Sequence, residues 1–230
     1  MHNKKPQAVL FDWDNTLVDT FPIIYESLHH TFLKMGHEPW SLEDIKSGRD
    51  GIHQALRSSF PRIFGEDKWE EAKQHYHGHF LDIHLEKIST LQGAEDTLKH
   101  LKNAGIYMAV VSNKTGPYLR DEVRHLGWDH YFSKVVGATD AVADKPSADP
   151  LHLALEGTGI VAGDSVWMVG DSQTDIDSAQ NAGCIPLYFG DKLVEMQYYG
   201  RPETQIAIPC FQTHESLLRH VKEVCSEVCK

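Results

Sequence analysis

Two aspartates, Asp12 and Asp14, stand at the end of the short apolar run Ala8–Phe11. Carboxylates at positions i and i+2 on a tight loop can divide a reaction between them, because one can attack an electrophile while the other hands a proton to the leaving group. Two like charges at this spacing need a counter-charge. The pair therefore predicts a site of nucleophilic and acid–base chemistry.

Three further polar stations follow downstream, each after or near a short β-branched run that predicts a strand. In an open parallel sheet, ligands bind outside the carboxyl ends of the strands, so polar residues far apart in the chain can converge on one crevice. This placement predicts one functional site. The stations are Ser112 with Asn113, Lys145, and Asp171 with Asp175.

The residue types at these stations suit the handling of a phosphoryl group. Ser112 and Asn113 offer side-chain and backbone donors for phosphoryl oxygens. Asp12 and Asp171 offer hard oxygen ligands for Mg²⁺, which would join Lys145 in neutralising the paired carboxylates. Together the stations indicate phosphoryl transfer. The alternative is that each is ordinary: a solvated turn, a helix cap or a surface lysine.

The elements that must position these residues alternate between strand and helix after about residue 89. Apolar runs bounded by glycine and by amphipathic stretches indicate strands that are buried on both faces. Such alternation predicts an α/β fold with a doubly wound, mainly parallel, Rossmann-like sheet. The predicted strands cover residues 8–11, 106–111, 135–136, 165–169, 185–189 and 206–208.

Strand patterns are missing between about residues 17 and 89. Apolar residues recur there at helical spacing in two stretches, 21–32 and 69–83. We therefore predict an α/β core formed by residues 1–16 and 90–230, with residues 17–89 inserted as an all-helical cap. An insertion that leaves directly after the Asp12 loop can lie over the strand ends, exclude water and supply specificity contacts.

Composition narrows the choice of partners. The chain has 33 acidic and 22 basic residues and a net charge of -11, which disfavours nucleic acid and anionic membranes. No aliphatic run approaches the roughly 18 residues of a membrane span, and the N-terminus lacks the apolar core of a signal peptide. We expect a cytoplasmic monomer or homodimer with reduced cysteines and a small-molecule partner.

Four motifs resemble, in order and spacing, those of the haloacid dehalogenase-like (HAD) hydrolase superfamily. The resemblance covers nearly the whole chain, and the helical insert between the first two motifs looks like the cap of the phosphoglycolate-phosphatase-like branch. Four motifs in order are far more specific than one aspartate pair. They are Asp12-Trp13-Asp14-Asn15-Thr16, Ser112-Asn113, Lys145-Pro146 and Gly170-Asp171-Ser172-Gln173-Thr174-Asp175.

This resemblance implies Mg²⁺-dependent hydrolysis of a phosphomonoester. Asp12 would be the nucleophile that forms an aspartyl-phosphate, and it would also ligate the metal. Asp14 would be the general acid and then the general base, with its backbone carbonyl touching the metal. Asp14 also argues against a dehalogenase, because a halide leaves without a proton. Asn15 stands where glycine is frequent in the family, and asparagine tolerates the left-handed backbone that glycine favours.

The remaining motif residues would bind phosphate and metal by the same resemblance. Ser112 and Asn113 would hold the phosphoryl oxygens, and Lys145 would orient and neutralise both Asp12 and the phosphate. Asp171 would ligate Mg²⁺. Asp175 would support the metal shell or ligate through water, although as a residue of a first helical turn it could serve only the helix dipole.

The substrate implied is a small metabolite such as a phosphoglycolate-like acid or a sugar phosphate. Two alternatives stay open. A sugar phosphomutase on the same scaffold would return the phosphoryl group to the substrate, and a non-catalytic binding or regulatory protein would keep the fold without turnover.

Two features of the predicted cap bear on its role. Arg49 is a candidate to recognise the far end of the substrate, since a guanidinium binds carboxylate or phosphate bidentately; a plain surface arginine is the alternative. His75, His77 and His79 resemble a metal tract, but on a helix only members at i and i+4 share a face. We therefore favour a solvated helix face over a zinc site for these histidines.

Overall fold

The computed structural model describes residues 5–47, 49, 56–190, 198–199 and 206–226. Contacts divide the chain into two compact units, one of Met1–Asp19 with Ser89–Lys230 and one of Thr20–Ile88. The sequence-based limits of the insertion were residues 17 and 89. The short segment before Thr20 belongs with the larger unit because Val18 and Asp19 pair with Thr90 and Ser89 in an antiparallel ribbon.

The elements are numbered in chain order. The strands are β1 (Ala8–Phe11), β2 (Val18–Asp19), β3 (Ser89–Thr90), β4 (Tyr107–Thr115), β5 (Lys134–Ala138), β6 (Val166–Gly170), β7 (Ile185–Phe189), β8 (Tyr198–Tyr199), β9 (Ile206–Ala207) and β10 (Cys210–Phe211). The helices are α1 (Phe21–Lys34), α2 (Leu42–Lys46), α3 (Leu56–Phe64), α4 (Trp69–Lys87), α5 (Ala94–Asn103), α6 (Gly116–His125), α7 (Asp149–Leu155), α8 (Gln173–Asn181) and α9 (His214–Ser226).

Six strands form one parallel sheet in the order β10-β7-β6-β1-β4-β5. The four residues of β1 are all apolar and buried, as expected for a strand between two neighbours in a covered sheet. Ala8 and Leu10 pack in a cluster with Leu151 of α7 and Ala179 of α8. The predicted α/β fold with a mainly parallel sheet is confirmed. Strand β1 lies between β6 and β4 in the middle of the strand order, and Asp12 follows its carboxyl end.

Strand β4 is longer than the sequence predicts. The prediction ends it at Val111, whereas the structure continues it to Thr115, with an irregularity in the pairing to β5 between these two residues. Ser112 and Asn113 therefore lie within the strand instead of in the loop after it. Both residues lie in the irregular stretch, and the pairing to β5 resumes at Thr115, which lies opposite Ala138.

The last predicted strand, residues 206–208, does not join the main sheet. Residues 206–207 form β9, but β9 pairs antiparallel with β8 in a separate two-stranded ribbon. The edge of the main sheet is taken by β10, which pairs with β7 over two residues. A strand of two residues is too short for a period-two pattern to reveal it.

The smaller unit is helical, and α1 packs against α4. Its core is aromatic: Phe60 lies edge-on to both Phe64 and Tyr76, and Phe32 contacts Phe64. Tyr76 and Phe80, one turn apart on α4, face inward together. The helical spacing read from the sequence thus marks the buried face of this unit.

The histidine row on α4 is only partly solvated. His79 stacks on His30 of α1 with ring centroids 4.1 Å apart, and His75 lies 3.9 Å from Glu71. Burial lowers the pKa of His77 below its ordinary value, with Lys73 adding to the effect. The face therefore contributes to packing between α1 and α4 in addition to meeting solvent.

Three of the four cysteines lie in the described residues, and all three are free. Cys184 is buried and burial raises the pKa of its thiol to about 11, whereas Cys210 is exposed. Cys229 lies outside the described residues. Among the helices that the structure describes, none has the length and apolarity needed to cross a membrane.

Candidate active site

Three carboxylates meet at the carboxyl ends of two neighbouring strands. Asp12 follows β1 and Asp171 follows β6, and these strands pair in parallel, so their ends lie side by side. The backbone N–H of Asp12 donates to the carbonyl of Val169 at 2.8 Å. Asp175, in the first turn of α8, completes a group in which one carboxylate oxygen of each residue lies within 4.8 Å of the others. The structure thus brings Asp12 together with Asp171 and Asp175.

Lys145 lies in the same cluster. Its ammonium donates to Asp12 Oδ1 at 2.7 Å, to Asp175 Oδ1 at 2.6 Å and to the carbonyl of Val111 at 2.8 Å. The lysine side chain is 3% exposed, so water screens these interactions little. One cation therefore joins the loop after β1, the strand β4 and the first turn of α8.

The side chain of Asn113 holds the backbone that carries Lys145. Its Nδ2 donates to the Lys145 carbonyl at 2.9 Å, and its Oδ1 accepts from the Lys145 N–H at 3.0 Å. The sequence interpretation assigned Asn113 to phosphoryl oxygens through its side chain or its backbone, and in the structure both ends of the carboxamide contact the Lys145 backbone. Asn113 therefore positions the backbone of Lys145, and its part in binding phosphoryl oxygens stays a prediction.

Asp175 has protein donors on both carboxylate oxygens. Oδ1 accepts from Lys145, and Oδ2 accepts from the backbone N–H and the hydroxyl of Ser172 in the capping box of α8. A Cβ at Gly170 would overlap the Asp175 side chain, so glycine permits this close approach. This arrangement suits the support of neighbouring ligands better than direct metal ligation.

The other two predicted residues, Ser112 and Asp14, are joined to a lysine that the sequence interpretation did not include. The hydroxyl of Ser112 is buried and accepts from the backbone N–H of Lys114 at 3.2 Å. The Lys114 ammonium donates to Asp14 Oδ1 and to Glu122 Oε2, both at 2.7 Å. The same Glu122 oxygen accepts from Trp13 Nε1 at 2.7 Å.

The loop that follows Asp12 is held by its own backbone and by α9. Asn15 has φ of 56°, the left-handed conformation that the sequence allows for, and its N–H donates to the carbonyl of Val18 at 2.8 Å. The carbonyl of Thr16 accepts from Nε2 of the buried His214 at 2.7 Å. These contacts fix the direction in which the loop leaves β1.

Comparison with known proteins decides the family. A family model described as haloacid dehalogenase-like hydrolase matches residues 9–187, which is most of the chain. The chain belongs to the haloacid dehalogenase-like hydrolase family. A phosphoglycolate phosphatase of Neisseria meningitidis is 34% identical over 185 residues, with 78% of each chain covered. A phosphoglycolate phosphatase of Yersinia pestis is 30% identical over 215 residues, with 89% of this chain and 90% of the relative covered.

Solved structures support the same placement of this HAD hydrolase. The crystal structure of a HAD-superfamily hydrolase from Ehrlichia chaffeensis is 30% identical, covers 96% of this chain and 98% of that one, and has a TM-score of 0.64. Together with the named relatives, it confirms the resemblance to the phosphoglycolate-phosphatase-like branch. The chain is a phosphatase of this family.

The acidic cluster of the hydrolase carries more negative charge than Lys145 compensates. Burial raises the pKa of Asp12 to about 7; Lys145 opposes this rise, while Asp175 and Asp14 add to it. Burial, and then the charges of Asp12 and Asp175, raise the pKa of Asp171 to about 8. Burial alone would lower the pKa of Lys145, but Asp12 and Asp175 outweigh it and hold that pKa above its ordinary value.

This donor set fits a hard divalent cation. Asp12 and Asp171 each offer an oxygen beside Asp175, and Mg²⁺ prefers one or two carboxylates together with water and substrate phosphate. Uncompensated negative charge at buried carboxylates is the condition that such a cation relieves. In the part of the chain that the structure describes, this is also the one group of three acidic, histidine or cysteine ligands found this close together.

Arg49 lies in the helical unit. Its guanidinium is 3.2 Å from Asp44 Oδ1 and stands over the ring of Trp40, 4.8 Å from the centroid. The Arg49 side chain is 51% exposed. These contacts orient Arg49 within its own unit, and its part in substrate recognition stays a prediction.

Lys114 and Glu122 are the residues that the sequence interpretation missed. A signal was present in the sequence, because Glu122 lies three residues after Leu119 and next to Val123, on the apolar face of α6. A carboxylate on such a face needs a partner. The structure shows that this partner is Lys114, directly after Ser112 and Asn113.

Proposed function

We propose that this phosphatase hydrolyses small phosphomonoesters, phosphoglycolate-like or sugar phosphates, through an aspartyl-phosphate on Asp12, with Mg²⁺. The observation that carries the proposal is the buried contact of 2.7 Å between Lys145 Nζ and Asp12 Oδ1 within the acidic cluster. A nucleophilic carboxylate beside a fixed cation is prepared to approach an anionic phosphoryl group. The names of the two phosphoglycolate phosphatases support the substrate class.

In the first step, a carboxylate oxygen of Asp12 forms a bond to phosphorus while the bond from phosphorus to the leaving oxygen breaks. Asp14 donates its proton to that oxygen, so the substrate departs as an alcohol. Ser112 Oγ, the backbone at Asn113 and the Lys145 ammonium would hold the phosphoryl oxygens. Lys145 neutralises charge on both the nucleophile and the phosphate.

In the second step, Asp14, now a carboxylate, accepts a proton from water. The water oxygen bonds to phosphorus while the bond between phosphorus and Asp12 breaks, which releases phosphate and restores the Asp12 carboxylate and the Asp14 acid. The same residue can serve both steps because each step leaves it in the protonation state that the next requires.

Asp12 and Asp171, with the backbone carbonyl of Asp14, would hold Mg²⁺. The metal, when bound, supplies charge stabilisation for the phosphoryl oxygens as a Lewis acid. Asp175 keeps Lys145 and the start of α8 in place, and through them the ligands. Arg49 is proposed to recognise a distal carboxylate or phosphate of the substrate, since its planar fork suits either group.

The proposal is tested by phosphate release from phosphoglycolate, sugar phosphates, nucleotides and p-nitrophenyl phosphate, each with and without Mg²⁺. Asp12→Asn is the matched control, because it keeps the shape of the side chain and removes the nucleophilic charge. We expect metal-dependent release that the variant loses. Release that persists in Asp12→Asn, or a wild type that only isomerises a sugar phosphate without net release, would overturn the proposal.

A further inference from the structure

We propose that Lys114 is a positioning residue for Asp14, and that buried Glu122 locks this lysine in place. The inference rests on the proposed function, in which Asp14 carries the proton in both steps. It adds a residue pair, Lys114 and Glu122, whose task is to hold the Asp14 carboxylate in one orientation.

The geometry forms a chain of three contacts. Lys114 Nζ lies 2.7 Å from Asp14 Oδ1 and 2.7 Å from Glu122 Oε2, and Trp13 Nε1 donates to that same Glu122 oxygen at 2.7 Å. The exposed fraction of the side chains falls along this series of contacts. It is 27% for Asp14, 8% for Lys114 and 0% for Glu122. The least buried member is the proposed acid and base, and the most buried member anchors the rest.

Glu122 and its partner Trp13 are held in tightly packed surroundings. Glu122 lies on α6 between the buried residues Leu119 and Val123. The indole of Trp13 is fully buried and packs edge-on against Trp128 and Phe132. Because Trp13 stands between Asp12 and Asp14 in the chain, the anchor is tied to the catalytic loop itself.

A gain in protein stability does not explain why Lys114 and Glu122 are buried as an ion pair. Burying Lys114 and Glu122 costs desolvation, and replacing a buried ion pair with apolar residues is often neutral or stabilising. A single lysine with Glu122 alone would already be neutral, yet the ammonium also reaches the Asp14 carboxylate. A charged, directional contact restricts the rotamers of a part-exposed aspartate, as second partners do for other functional groups.

Loss of positioning has a specific kinetic signature. An alkyl leaving group needs a proton from Asp14, whereas p-nitrophenolate leaves without one. A mobile Asp14 should therefore slow the phosphorylation of Asp12 by an alkyl phosphate and spare that by p-nitrophenyl phosphate. The later attack of water should slow with both substrates, because it needs Asp14 as the base.

The test compares wild type with Lys114→Met, Lys114→Arg and Lys99→Met by rapid quench with both substrates. Lys99 pairs with Glu95 on an exposed helix face, so Lys99→Met controls for losing a lysine. For Lys114→Met we expect the rate constant of p-nitrophenolate release in the first turnover to equal that of wild type, and kcat on the alkyl phosphate to be lower by roughly 10- to 100-fold, with KM within about twofold. Lys114→Arg should recover part of that loss, and Lys99→Met should match wild type.

Equal loss on both leaving groups in the first step, or no loss at all, would overturn the inference. If Lys114→Met does not fold, Glu122→Gln takes its place with the same expected signature and the same contradicting results. High-resolution crystal structures of wild type and variant give a readout without turnover: one Asp14 rotamer in wild type and several in the variant. A wild type without activity refutes the proposed function, and these rotamers still decide whether Lys114 holds Asp14.

Discussion

At the scale of single residues, the site depends on how one lysine distributes its charge. Lys145 contacts the proposed nucleophile, Asp12, and Asp175 in the first turn of α8 with one ammonium. A buried ion pair that loses one partner leaves an uncompensated charge, which costs more than the pair itself contributed. Lys145 therefore has a structural role and a chemical role, and each can be measured.

Lys145→Met should lower the free energy of unfolding by about 3–5 kcal/mol in metal-free protein at pH 8, because two buried carboxylates lose this cation. The rate of phosphate release should fall by roughly 10²–10³, as when a preorganised charge is removed. Chemical denaturation and steady-state kinetics check the two effects, with Lys99→Met as the control. A variant that loses activity but keeps its full stability would contradict the shared role.

Asp14→Asn tests the proton donor directly. We expect roughly 10²–10⁴-fold lower kcat/KM on an alkyl phosphate and a much smaller effect on p-nitrophenyl phosphate, because only the alkoxide needs a proton. The measurement is the dependence of kcat/KM on leaving-group pKa, which should become steeper in the variant. An equal loss across the series would remove Asp14 from the role of acid.

At the scale of elements, the sequence located the strand ends and therefore most of the site. Apolar runs mark β1 and β6, and parallel pairing then brings Asp12 beside Asp171 without any knowledge of side-chain contacts. The contact between Asn113 and the Lys145 backbone was not predictable, because an amide after a strand has the same appearance whether it faces a ligand or a loop. Glu122 was predictable in kind, since it interrupts an apolar helix face, but its partner was not.

Helix α9 contacts the loop after β1 through His214, a histidine whose protonation should affect stability. Burial lowers the pKa of His214 to about 4, and the hydrogen bond to the Thr16 carbonyl opposes that shift only in part. In the unfolded chain the pKa is 6.5, so the unfolded state binds more protons between pH 4 and 6.5. The stability that neutral His214 contributes is therefore complete above about pH 6.5 and is lost as the pH falls towards 4.

The contribution of His214 amounts to about 3 kcal/mol across that window. His214→Gln keeps an N–H that can reach the Thr16 carbonyl and does not titrate, so its free energy of unfolding should depend less on pH between 4 and 6.5. Denaturation series at several pH values check this for both proteins. Parallel pH profiles would show that His214 does not titrate on unfolding.

At the scale of the whole molecule, an acidic chain concentrates part of its charge in one buried cluster. The pKa values of Asp12 and Asp171, about 7 and about 8, exceed the ordinary 3.8. At these two carboxyls the folded metal-free protein binds more protons than the unfolded chain between about pH 4 and 8. Their contribution to stability therefore falls as the pH rises through that window, which is opposite in sign to the contribution of His214. A divalent cation should reverse this loss, because it competes with protons for the same carboxylates.

We therefore expect Mg²⁺ to raise the Tm more at pH 8 than at pH 5, where protons already neutralise the cluster. Asp171→Asn is the matched control and should show little stabilisation by Mg²⁺ at either pH. Thermal unfolding with and without the metal provides the measurement. Equal stabilisation at both pH values, retained in Asp171→Asn, would place the metal elsewhere.

The most direct test of the central claim is to identify the phosphorylated residue. Wild-type protein is mixed with p-nitrophenyl phosphate and Mg²⁺, quenched in acid within milliseconds, and mapped by mass spectrometry, with Asp12→Asn treated in parallel. We predict one phosphoryl group on Asp12 in the wild type and none in the variant. A phosphoryl group on another residue, or turnover without any phosphorylated protein, would contradict an aspartyl-phosphate mechanism at Asp12.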